Sequence, residues 1–144
     1  LAVISEYMTG NLTLQRLKVL ALRVIAVKIM IKDYDFSRTF KILVDDYGLN
    51  QNEAFKITAR VYRGGGFTKD FLYLRGLRMA LQQFKICDIS PLFIGKTSFG
   101  YLDVINELIQ RKMIDPPVLL PQFLTTKKVY RTDKVLEYLL ESMR

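Results

Sequence analysis

The residue types best suited to chemistry gather in residues 60–75, which read RVYRGGGFTKDFLYLR. Gly64, Gly65 and Gly66 separate two segments with helical spacing. Glycine has no Cβ, so this break can take positive φ and bring its backbone close to another group. A helix starting just after it, with Thr68 as cap, offers unpaired N–H groups and the positive end of a helix dipole. Arg60, Arg63 and Lys69 add mobile cations at the same corner. Together these features describe a receptor for an anionic group; a plain turn between helices is the competing reading. The stretch lacks the Gly-Lys-Ser/Thr ending of a phosphate loop, and no strand precedes it as a dinucleotide fingerprint requires.

What is missing narrows the chemistry further. The 144 residues include no histidine. The commonest metal ligand and general base is therefore lacking, which argues against a self-contained zinc site and excludes a histidine-based nucleophile system. Cys87 is the only cysteine, so an internal disulfide is impossible, and a reducing, cytoplasmic setting is expected. Net charge is +8, from 22 basic and 14 acidic residues. Residues 57–86 carry Arg60, Arg63, Lys69, Arg75, Arg78 and Lys85 against Asp70 alone, which implies an acidic partner. The most apolar run, 19–31, is short and interrupted by Arg23 and Lys28, so it reads as a core helix and not as a membrane span.

Helices must position these groups. Residues 1–8 read as the last turns of a helix stopped by Gly10. Thr13 caps a long helix to about Lys32, apolar nearly all round and so expected to be central. Asp35 caps a helix over 36–47 ended by Gly48, and Asn50 with Glu53 has capping-box spacing for the next. On that helix Lys56, Arg60 and Arg63 form one basic stripe, readable as a solvated face or as a binding face. The helix over 69–84 places Lys69, Tyr73 and Gly76 on one side; an interior glycine costs about 1 kcal/mol, which points to a close approach there. Arg75, Arg78, Gln82 and Lys85 share another, solvated side. Ser90 and Pro91 open a short helical piece, and a further helix covers 99–112. Residues 115–126 contain three prolines and should run extended. Thr132 caps a last helix, with Val135, Leu136, Leu139 and Leu140 inward. The expectation is one all-α domain or subdomain of six or seven helices.

Three stretches carry a family resemblance: LAVISEYMTGNLT at 1–13, RVYRGGGFTKDFLYLRG at 60–76 and PLFIGK at 91–96. They resemble the QEGLA-motif proteins, often labelled flavohaemoglobin expression-modulating proteins, which are related to the tyrosine carboxypeptidases that trim α-tubulin tails. The resemblance implies a mainly helical, gluzincin-like zinc metallopeptidase with an HExxxH helix and the QEGLA glutamate as third ligand. Leu1 and Ala2 match the last two letters of QEGLA. The chain thus corresponds to the C-terminal half of that catalytic domain, whose zinc ligands would lie upstream and which would be inactive alone.

The implied reaction is zinc-assisted release of a C-terminal residue. Such an enzyme needs cations for the terminal carboxylate and a donor for the developing oxyanion. Arg60, Arg63 and Lys69, with Gly64, Gly65 and Gly66, are the candidates for substrate binding, and Tyr73 for oxyanion stabilisation. The expected partners are a peptide or protein C-terminus with a free carboxylate and the upstream half of the same protein, with no membrane. The alternative is a non-catalytic basic helical module docking an acidic tail or nucleic acid; no nucleic-acid reading motif is present, which disfavours the latter.

Overall fold

The computed structural model describes residues 2–64, 69–84, 86–125 and 134–142. In chain order its helices are α1 (Ala2–Met8), α2 (Leu14–Asp33), α3 (Phe36–Asp45), α4 (Gln51–Tyr62), α5 (Lys69–Phe84), α6 (Leu102–Gln110), α7 (Gln122–Thr125) and α8 (Lys134–Ser142). Two 3₁₀ stretches, Ser90–Ile94 and Phe99–Tyr101, precede α6. Among the described residues there is no strand, and the fold is all-α with eight α-helices where six or seven were expected.

Local chemistry explains most of the boundaries. Thr13 Oγ1 accepts from the Arg16 N–H at 3.1 Å, and Asp35 Oδ1 accepts from the Arg38 N–H at 3.0 Å. Asn50 Oδ1 accepts from the Glu53 N–H at 2.9 Å, while its amide donates to Glu53 Oε2 at 2.8 Å. Each of the three expected caps thus satisfies an orphan donor of its first turn. At the other end of α3, Gly48 takes φ 64, and the N–H groups of Gly48 and Leu49 donate to the carbonyls of Val44 and Leu43. This is the αL closure, whose 5→1 bond runs from Gly48 to Val44, and Leu43 and Leu49 lie beside it in one core cluster. Gly10 plays a similar part after α1, at φ 73.

Three expectations need correction. Residues 122–125 form a helical turn, because Pro121 lies outside it and lends its carbonyl to the Leu124 N–H at 2.9 Å; proline obstructs a helix interior, not its approach. Ser90 does not cap the piece that follows it. Asp88 does the holding, accepting from the Ser90 N–H at 2.8 Å and from its hydroxyl at 2.7 Å. On α8, Leu136 and Leu140 are buried, whereas Val135 and Leu139 are exposed, so one turn-spaced pair faces inward.

The chain divides into two compact units, Thr13–Arg75 and a second made of Leu1–Leu12 with Gly76–Arg144. In the first, Leu22, Ala26, Val27 and Met30 of α2 pack with Leu43 of α3 and Ala54, Ile57 and Val61 of α4. Burying each large aliphatic side chain contributes about 2 kcal/mol. Thr39, also buried, is hydrogen-bonded to Tyr62 Oη at 3.0 Å and to the Asp35 carbonyl at 2.9 Å. Helix α2 is not covered all round, since Ile31 is 62% exposed. In the second unit Ile89, Leu92, Leu102 and Ile105 form the core, with Phe84, Phe93, Phe99 and Leu124 against it.

Candidate functional site

The basic corner is built from the end of α4 and the start of α5, both within Thr13–Arg75. Arg60 stands in the last turn of α4, Arg63 is its C-cap residue, and Gly64 follows at φ 76. Positive φ at Gly64 is the conformation anticipated for the glycine break. It lets the Gly64 N–H donate to the Val61 carbonyl at 3.0 Å. Gly65, Gly66 and the expected cap Thr68 lie outside the described residues. Helix α5 then opens with Lys69 and Asp70.

Asp70 is the centre of the corner. Its side chain is 2% exposed, and its two oxygens meet two different arginines. Arg60 Nη2 approaches Oδ2 at 3.5 Å, and Arg23 Nη1, from the middle of α2, approaches Oδ1 at 3.5 Å. A carboxylate this deeply buried requires opposite charge beside it, and it receives two guanidiniums. The arginine side chains keep 36% and 26% of their surface exposed. Their Nε atoms are buried without a hydrogen-bond partner.

The other expected site residues are arranged around this trio. Arg63 is exposed and donates from Nε to the Ala59 carbonyl at 3.2 Å, which tidies the α4 terminus. Lys69 is exposed, with Nζ 5.7 Å from the centroid of the half-buried Tyr73 ring, a cation–π contact one helical turn along α5. Gly76 does not meet a close neighbour: a Cβ built there finds nothing within 4 Å. Arg75 is exposed as expected, but Arg78 is half-buried with its Nε shielded from water. Arg23 and Asp70 are the participants that sequence reasoning missed. In the sequence Arg23 only interrupts a long apolar run, although a charge in such a run was a signal that it has a buried partner.

The sequence has no histidine, and among the described residues no three of Cys, Asp and Glu come together to hold an ion. The Cys87 thiol donates to the Gln83 carbonyl and lies 3.4 Å from Gln83 Oε1. What the corner offers is positive charge, a tyrosine hydroxyl and a glycine turn, a donor set for binding a carboxylate.

Comparison with family models matches residues 1–144 to one described as microtubule-associated tyrosine carboxypeptidase. The chain belongs to that family. The match spans both compact units. Comparisons with curated proteins and with solved structures give no match. For a microtubule-associated tyrosine carboxypeptidase family member, +8 net charge and a cationic corner suit a protein-tail substrate. Among the described residues no helix is long and apolar enough to cross a membrane.

Proposed function

We propose that this chain provides the substrate-binding side of a zinc-dependent tyrosine carboxypeptidase, gripping the C-terminal carboxylate of an acidic protein tail. The observation that carries the reading is the family match over residues 1–144. The geometry supports it with Arg60, Arg63 and Lys69 around the α4–α5 junction, where charge-assisted hydrogen bonds to a carboxylate would form. Tyr73, beside Lys69, is the donor for the developing oxyanion; its hydroxyl supplies a hydrogen bond without a change of charge. Zinc, which activates water in such enzymes, belongs to the complete gluzincin-like domain and would be held by residues other than these. The chain's own work is to bind and orient the tail in a cytoplasmic setting.

The test is a pair of acidic peptides ending in tyrosine, one with a free carboxylate and one amidated. Tighter binding of the acid by about tenfold or more is expected, the worth of one charge-assisted hydrogen bond. Arg63→Ala should reduce that preference. In the complete enzyme Tyr73→Phe should lower kcat with little change in KM, since the hydroxyl acts only on the developing charge. Unchanged turnover in both variants removes these assignments. Equal affinity for the two peptides would instead favour the module that docks an acidic tail without cleaving it.

A further inference from the structure

We infer that Arg23 and Arg60 form a paired-guanidinium receptor for the substrate carboxylate, held in register by the buried Asp70. This deepens the proposed function and rests on it. Arg23 comes from α2 and Arg60 from α4, so no local spacing rule joins them; Asp70 of α5 does so by offering one oxygen to each at 3.5 Å. All three residues lie in the unit Thr13–Arg75, and the trio carries one positive charge in excess.

Each guanidinium has five N–H donors, and Asp70 engages one nitrogen on each. Both side chains remain partly in water, at 26% and 36%, while their Nε atoms are shut away. The proposed receptor uses the Nη donors that Asp70 does not engage. Arginine suits this task because its planar fork binds a carboxylate through two parallel hydrogen bonds. Arg60 is hydrogen-bonded to Asp70 and Arg23 is ion-paired with it, so both forks lose less side-chain entropy when a second carboxylate arrives. Asp70 is a positioning residue: it touches the arginines, not the substrate.

The position makes a prediction of unusual sign. Replacing Asp70 by Asn adds positive charge to the corner. If Asp70 only competed with substrate for the arginines, Asp70→Asn would tighten binding of an acid-ended peptide. As a positioning residue it should do the opposite.

The experiment measures the affinity of the acidic, tyrosine-ended peptide and its amidated twin for the full chain, with melting curves to confirm folding. Arg23→Gln and Arg23→Lys should both cut the acid-over-amide preference by about tenfold, leaving affinity for the amide unchanged. Arg23→Lys retains a charge beside Asp70, so it reports on the lost fork in a variant expected to fold. Arg75→Gln removes an exposed charge elsewhere on α5 and should leave the preference intact. Asp70→Asn should lower it. If Arg60→Gln abolishes the preference but both Arg23 variants keep it, or if Asp70→Asn strengthens acid binding, the paired receptor is wrong while the carboxylate-binding reading stands. A wild-type chain that does not distinguish acid from amide overturns both.

Discussion

At the scale of single residues, the decisive arrangement is a buried carboxylate flanked by two partly exposed cations. Asp70→Ala would leave Arg23 and Arg60 crowded together without their counter-charge. Breaking a wholly buried pair costs 3–5 kcal/mol, and the arginines' partial exposure reduces that to about 2 kcal/mol here. A drop of that size in urea-unfolding free energy, with the slope unchanged, is the expected result. The candidate cations Arg60, Arg63 and Lys69 were legible in the sequence because a glycine break beside basic residues is a local pattern. Arg23 was not, since 47 positions separate it from Asp70 and only the tertiary fold brings their side chains to 3.5 Å. Burial of Asp70 was equally hidden: an acidic residue in a first helical turn has an adequate explanation in the helix dipole alone.

Elements were easier to read where their ends are settled within a few residues. Thr13, Asp35 and Asn50 cap as their spacing implied, because the acceptor and the orphan N–H are three positions apart. Gly48 at φ 64 has nothing within 4 Å of a built Cβ, so Gly48→Ala meets no clash and is strained by its backbone alone. The expected loss is about 1–2 kcal/mol, and Gly48→Asn should lose less, since asparagine tolerates the left-handed region. Thermal melts of the two variants check this. Gly76 is the reverse case: it sits inside α5 with open space around it. Gly76→Ala should stabilise by about 1 kcal/mol, read as a higher urea midpoint. The sequence pointed to a close approach at Gly76, but an interior glycine signals either a neighbour or mere tolerance, and spacing does not distinguish them. For the same reason α8 was given too wide an apolar face. Four aliphatics span more of its circumference than the core covers, and Leu136 and Leu140 take the inner places.

On the scale of the whole molecule, charge governs encounter. With +8 overall, an acidic peptide should associate faster at low ionic strength, and the association rate should fall as salt rises while dissociation changes less. Stopped-flow measurements at about 0.05 and 0.5 M salt would register the difference, because the screening length shrinks severalfold across that range. The helical class was legible throughout from apolar spacing and caps. The division into Thr13–Arg75 and the remainder was not, because it cuts through α5, where the single interior glycine, Gly76, does not interrupt the helix. That division gives the thiol of Cys87 a practical meaning. It is the only sulfhydryl, it rests beside the Ile89, Leu92, Leu102 and Ile105 core, and it is tethered to Gln83. The thiol is half-buried, so modification by a thiol-specific reagent would report on access to that part of the second unit. Tyr62, hydrogen-bonded to Thr39, belongs to the other unit, so a probe placed at its ring would follow Thr13–Arg75 while the thiol follows the second core.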